Sequence, residues 1–345
     1  MRINREELLK QLESVMPGLS SKEIIEQSSC FIFKAGTINT YNDEIACSIK
    51  TLLKIEGAVS AVPFISILRK LKEDELEISE NDSNSQLLIR AKQKRSGINM
   101  EQDILLPIEA VDKPKKWKKL PDNFADAIAI VQPCAGTNDH QFAMTCVHIS
   151  SKFIEACDNH QVSRFRIRTD VEKSILIRKE SLKHIVALDM SEFSETKHWI
   201  HFRNSDDLIL SCRHWVDDYP SDDISKVLDM SGEPLILPKG LKESVEKAEI
   251  FSVENTENSN VIVNIKRGKF KITGRGTSGW FSEVKKSKYA GPSLQFTIPP
   301  KLLVELVQRC NECEVNEERL KIKGGKFTYV TVLGKIEEKK DDTDK

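Results

Sequence analysis

One order of elements, a helix followed by strand, turn and strand, recurs along this chain, and a sequence that repeats a supersecondary unit must build similar domains in series. RINREELLKQLESVM sets Leu8, Leu9, Leu12, Val15 and Met16 on one helical stripe. SCFIFKAGTINTYNDEIACSI follows as two alternating β-rich runs around a short turn. The order returns from LPDNFADAIAIVQ to ACDNHQVSRFRI, and again from LPKGLKESVEKAEIF to KFKITGRGTSGWFSEV. Shorter units of the same kind lie between: VPFISILRKLK before LLIRAKQ, IRKESLKHIVAL before WIHFRN and LILSCRHW, and IPPKLLVELVQRC before LKIKGG and FTYVTVLG. Helix starts thus fall near Arg5, Pro63, Asp122, Arg178, Lys239 and Pro299, about sixty residues apart, and the units pair into blocks of about 120. The pattern predicts an α+β protein of three similar domains, each a pair of helix-plus-antiparallel-sheet units. Polar, Pro-bearing joints at 113–121 and 217–238 place the domains at 1–114, 115–234 and 235–336. The charged residues 337–345 are expected to form a disordered tail.

Composition narrows the function classes. Fifty-two Lys and Arg against 53 Asp and Glu give a net charge of −1, so a nucleic-acid partner would have to be served by how the charge is placed. No apolar run reaches membrane-span length, and the N-terminus opens an amphipathic helix instead of a signal sequence. These features predict a soluble, cytoplasmic protein without a membrane partner. The eight cysteines are scattered through apolar segments, as buried small hydrophobes of a reducing compartment would be.

Several motifs invite chemistry and fall short of it. Cys310 and Cys313 form one C-x-x-C on a helix, with no second ligand pair at matching spacing for zinc, so no metal is expected. GRGTSG (274–279) fits a dinucleotide loop, but runs from strand to strand instead of into a helix, so no nucleotide cofactor is expected. His140, His148, His184, His198, His201 and His214 show no metalloprotease spacing, and no Walker loop or Ser elbow is present. FIEACDNHQVSRF (153–165) brings a thiol, an acid and an imidazole within a few residues. Adjacent strand residues point to opposite faces, so Cys157 and Asp158 are poorly placed to cooperate. The stretch reads better as a turn.

Over nearly its whole length, from Arg2 to about Lys335, the sequence resembles the bacterial-type DNA polymerase sliding clamps, the polymerase III β-subunit family. The resemblance rests on the threefold repeat, on LPDNFADAIAIVQ, FAMTCVHI and ACDNHQV in the middle block, and on a terminal helix followed by KFTYVTVLGK. Divergence from the common pattern suggests a phage or mobile-element version. The resemblance implies a non-enzymatic processivity factor: a head-to-tail homodimeric ring, with helices lining the hole and sheets outside. Such a ring would encircle double-stranded DNA without reading sequence. The cations on or beside the helices that would face DNA are Lys10, Arg69, Lys72, Arg178, Lys179, Lys183, Lys239, Lys242, Lys247, Lys301 and Arg309, joined by Lys22 and Asn138 in loops. The helix at 122–131 carries Asp122 and Asp126 and no cation. The matching dimer contacts are Ile98 and Met100, taken to lie on the last edge strand of the first domain, against Ile250 and Phe251 at the end of the third domain's first helix.

Clamps of this family also hold short peptides of DNA polymerase, clamp loader and repair proteins in a groove. Carried over, that groove comprises Met144, Cys157, Asp158, Asn159, His160, Gln161 and Val162, with Pro220, Lys226 and Val227 from the second joint and Val330, Val332, Leu333, Gly334 and Lys335 from the chain's last strand. The family usually has Thr, Gly, Arg and Leu where Cys157, Asn159, Gln161 and Val162 stand, and Met-Pro-Met-Arg in place of Val332 to Lys335. Two rival readings stay open: an enzyme using Cys157 and His160, and a monomeric clamp-fold scaffold that binds peptides without encircling DNA.

Overall fold

A computed structural model describes residues 1–137, 141–252 and 260–335 of the chain. It divides into two compact units. The first holds Met1–Gln132, Cys146–Lys152 and Ile167–Asp217, and the second holds Pro133–Thr145, Phe153–Arg166 and the chain from Asp218 onward. The charged tail and Asn138 lie outside the described residues.

Seven α-helices stand among the described residues: α1 Arg5–Val15, α2 Ala61–Lys70, α3 Phe124–Val131, α4 Lys179–Ala187, α5 Ser221–Leu228, α6 Leu241–Glu249 and α7 Pro300–Arg309. Six answer to the six expected starts, and they pack in pairs, α1 on α2, α3 on α4 and α6 on α7. Local chemistry accounts for their ends. Asn4 caps α1 by accepting from the amides of Glu6 and Glu7, and Pro300, at the first helical position of α7, has no amide to leave unsatisfied. The seventh, α5, lies within the stretch expected to be the second joint. Its signal is nonetheless ordinary: Asp222 and Asp223 sit in the first turn, followed by buried Ile224 and Leu228.

In the first unit a twelve-stranded antiparallel sheet runs through two repeats. Strand Ile45–Lys50 pairs with Ile209–Arg213, matching Ala46 to Ser211 and Ile45 to Cys212. In the second unit strand Gln161–Arg166 pairs with Phe327–Val332 in the same way, matching Val162 to Val330 and Gln161 to Thr331. Each joint between repeats is therefore a continuous ladder of backbone hydrogen bonds. A separate four-stranded sheet in the second unit runs in the order Gly279–Lys286, Lys269–Gly276, Val261–Lys266, Leu294–Ile298, with α6 packed on one face. Gly274 is required there, because a Cβ would stand 1.8 Å from the carbonyl oxygen of Ala248 on α6.

The strand Lys94–Glu101 corrects one expectation. It is an inner strand, between Gln86–Ala91 and Gly57–Ser60. Ile98 and Met100 alternate inward and are buried within this chain. Strand Gly57–Ser60 reaches only Met100 and Glu101, so on that side the backbone from Lys94 to Asn99 is unpaired by any described strand.

His201, fully buried in the first unit, has both ring nitrogens engaged. Nδ1 lies 2.8 Å from Ser211 Oγ and Nε2 lies 3.2 Å from Thr196 Oγ1. Burial lowers its pKa from 6.5 to about 4. Between those values the unfolded chain binds a proton that the folded chain refuses, so this contribution to stability is complete above pH 6.5 and is lost as pH falls toward 4. Its full size is roughly 3 kcal/mol. Urea unfolding at pH 7 and pH 4.5 should show the decline, and His201→Asn should flatten part of it. Burial lowers His184 and His214 in the same direction, so both add to the decline.

Candidate functional site, a groove at the second joint

The turn between Phe153–Cys157 and Gln161–Arg166 is built by Asp158. Its Oδ1 accepts from the amides of His160 (2.7 Å) and Gln161 (2.8 Å), an Asx turn. One carboxylate oxygen thus serves the backbone, and the other accepts from Gln161 Nε2 at 3.2 Å. The carbonyl of His160 accepts from the amide of Val332 at 2.8 Å, stitching the turn to the last strand. Gln161 reaches the same side, where its Oε1 accepts from Tyr329 Oη at 2.9 Å.

Behind the turn, Cys157, Val162, Ile224, Leu228, Met230 and Val330 form one buried apolar cluster, with Met144, Tyr219 and Val227 packed against it. Cys157 Sγ lies 3.2 Å from Met144 Sδ and 3.4 Å from Tyr219 Oη. Burial pushes the Tyr219 phenol well above its usual range, so it stays neutral. The thiol is a floor residue among apolar neighbours.

Helix α5 forms one wall, and a buried ion pair holds it there. Arg164 Nε bonds Glu155 Oε2 at 2.6 Å, while its other two nitrogens donate to Ser225 Oγ (3.0 Å) and the Ser221 carbonyl (3.2 Å). Ser221 Oγ donates to Glu155 Oε1 at 2.6 Å, and the guanidinium stacks 4.4 Å from the Phe153 ring. Glu155 is completely buried.

These elements enclose a cavity of about 440 Å³, wholly within the second unit. Met144, Cys157, Asp158, Asn159, His160, Gln161, Val162, Pro220, Val227, Val330 and Val332 all line it. Four expected residues do not. Lys226 projects from α5 and pairs with Asp223 at 2.8 Å, and Leu333 is buried. Gly334 exchanges backbone hydrogen bonds with Thr297, and Lys335 follows it at the end of the described chain. Gln141, Asp223, Ile224 and Arg319 also line the cavity and escaped the sequence reading.

The repeat explains why this joint is open. In the first joint Tyr41 pairs with Ala46, and Asn42 Oδ1 accepts from the amides of Glu44 and Ile45. In the second, Cys157 pairs with Val162 and Asp158 plays the part of Asn42. The Arg213 amide donates to Glu44 O as Val332 donates to His160 O, and Trp199 and Arg319 are the residues paired with Arg213 and Val332. Tyr41 and Trp199, rings 6.1 Å apart, are buried together with Leu106. Their counterparts Cys157 and Arg319 leave a hollow.

The helices carry the cations expected to face DNA, and many are already paired. Lys10 bonds Asp206 (3.0 Å), Arg69 bonds Glu13 (2.7 Å), Lys183 bonds Glu180 (2.7 Å), Arg178 stands 3.4 Å from Glu44, Lys242 3.7 Å from Glu246 and Arg309 4.0 Å from Glu305. Lys22, Lys72, Lys239, Lys247 and Lys301 have no salt bridge among the described residues, and Lys179 begins α4. Ile250, at the end of α6, is exposed and Phe251 half-buried. Among the described residues no cluster of His, Cys, Asp and Glu is arranged to hold a metal ion, and no helix is long and apolar enough to cross a membrane.

No protein-family model and no curated protein matches the sequence. Solved structures do match. The DNA polymerase III β sliding clamp of Bartonella birtlesii bound to griselimycin aligns with a TM-score of 0.84 at 13% identity, over 97% of this chain and 99% of that one. The β chain of Streptococcus pneumoniae aligns at 0.82 with 18% identity, and the β subunit of Thermotoga maritima at 0.82 with 14%, both with the same coverage. At such identities it is the architecture that is shared, over nearly every residue of both chains: this chain has the three-domain fold of the DNA polymerase III β sliding clamps.

Proposed function

We propose that the chain is a processivity clamp. Two copies would close into a ring around duplex DNA and tether DNA polymerase, a clamp loader and other replication proteins by short peptides seated in the groove. The reading rests on one observation: in a chain of clamp fold throughout, the one joint lacking an aromatic plug carries an apolar hollow of about 440 Å³ rimmed by His160 and Arg319. Met144, Val162, Val227 and Val330 offer surface for a ligand's Leu or Phe, and the rim offers charge and hydrogen bonds to fix its polar end. The division into three domains at 1–114, 115–234 and 235–336 belongs to the same proposal.

Ring closure would use edges. Backbone from Lys94 to Asn99 and the outermost strand Gly279–Lys286 each have an open side among the described residues, and Ile250 is exposed. Pairing these edges between copies would satisfy the orphan backbone groups. The ion-paired helical cations fit a ring that holds DNA by topology, because phosphate would have to compete with acids already in place. Retention on nicked circular DNA should therefore survive moderate salt and vanish when the circle is linearised. Equal retention on both forms, or a native mass of one chain at micromolar concentration, would leave the monomeric scaffold as the better reading.

The groove has its own test. Cys157→Tyr installs the residue that the first joint uses, and should weaken a fluorescent peptide ending in Leu-Phe by at least tenfold while leaving the melting temperature nearly unchanged. Undiminished peptide binding by that variant would place the docking site elsewhere.

A further inference from the structure

The four-stranded sheet of the second unit has a face that the clamp reading leaves without a role, and we propose that it binds single-stranded nucleic acid. Phe270, Ile272, Val263 and Ile265 point to the side covered by α6. Alternation sends Lys266, Lys269, Lys271, Arg275 and Lys286 to the other side, where all five are exposed. The register clusters them: Lys269 is paired across the ladder with both Lys266 and Lys286, and Arg275 is paired with Trp280. Every other strand residue on that face is uncharged. Glu283, the only carboxylate in the four strands, is on the helix side and pairs with Lys285 at 3.1 Å. None of the five cations has a salt bridge among the described residues. By contrast α6, on the opposite face, carries Lys242 and Lys247 against Glu243, Glu246 and Glu249.

Like charges placed directly opposite each other on neighbouring strands destabilise a sheet. A chain of net charge −1 that concentrates five cations on one face therefore presents a surface suited to a polyanion. The aromatic decides which one. Trp280 is 66% exposed beside Arg275, and an indole in the open offers a π-face on which an unpaired base can stack. A base inside a duplex is unavailable for this, and an acidic peptide would use the cations and ignore the ring. Cations spaced roughly 5 to 7 Å along and across strands also suit successive phosphates of an extended single strand.

The test is fluorescence anisotropy of fluorescein-labelled dT20 with the whole protein at low salt. Binding is expected, weakened about tenfold by Trp280→Ala and more by Lys269→Glu with Lys271→Glu. Charge reversal elsewhere on the surface, at exposed Lys54→Glu with Lys173→Glu, should leave it within about twofold. Circular dichroism melts verify that each variant is folded; should the double reversal fail to fold, Lys269→Gln with Lys271→Gln serves instead. The proposal is overturned if the native protein does not bind dT20, if the Lys54 and Lys173 variant loses as much as the sheet-face one, or if Trp280→Ala binds normally. Displacement of dT20 by polyglutamate as readily as by unlabelled dT20 would also overturn it, in favour of an acidic protein partner. Retention on circular duplex is scored separately, so failure here leaves the clamp reading untouched.

Discussion

Arg164→Ala is expected to release α5 from the sheet and to lower stability by about 3 to 5 kcal/mol, because it removes the guanidinium bonded to the fully buried carboxylate of Glu155. The guanidinium is bonded to Glu155, Ser225 and Ser221 at once, so Arg164→Lys, which keeps the charge and loses the planar fork, should recover only part of the loss. The double variant Glu155→Leu with Arg164→Met removes both charges and should be far milder than either single truncation. Urea unfolding measures the stabilities. Limited proteolysis within 217–232 reports whether the helix itself has come loose, and peptide anisotropy reports whether the groove has lost its wall. A single truncation that unfolds no more easily than the native chain would mean that the pair is not holding α5.

A second large effect is expected at Gly274. A Cβ there would meet backbone of Ala248 at 1.8 and 2.5 Å, which no rotamer change can relieve, so Gly274→Ala must push α6 off its sheet. The cost should reach about 3 kcal/mol or more, the upper end of overpacking effects. Gly268→Ala is the control. That glycine has φ +78° with no atom within 4 Å of the added methyl, so it should lose only the roughly 1 kcal/mol of left-handed strain. Thermal melts that rank the two variants equally would show that the close approach of α6 is not what fixes the position.

What could be read from the sequence follows from how far apart the interacting residues lie. The paired helices were visible because Leu8, Leu12 and Val15, or Leu303 and Leu306, announce a buried face within two or three turns. Helix α5 is hard to see in the sequence because two turns flanked by Pro220 and Gly232 resemble a linker, and its apolar face has meaning only against strands distant in the chain, those of Val162 and Val330. The same distance hid Arg319, which looks like one solvated charge among several in NEERLKIKGG. Its position at the groove depends on pairing with Val332 and, beyond that, on the match of Val162 to Val330. Ile98 and Met100 show the converse. Alternation in KRSGINME correctly puts both on one face, but whether that face is core or surface depends on the strand's place in the sheet, which local pattern does not encode. Family resemblance locates the groove's turn; the hydrogen bonds that Asp158 accepts and the apolar cluster around Cys157 depend on the folded chain.

The aromatic plug of the first joint would set the valency of the proposed carrier. Duplicated joints would ordinarily duplicate their ligands, yet Tyr41 and Trp199 occupy in one what Cys157 and Arg319 leave vacant in the other. With the groove as the proposed docking site, each chain would offer one such berth and a closed pair two. With two berths on one carrier, an arriving partner can be seated before the departing one has let go, so a handover needs no interval in which the carrier is empty. Had Cys157 been a tyrosine, the fold would be the same and the queue would have nowhere to form.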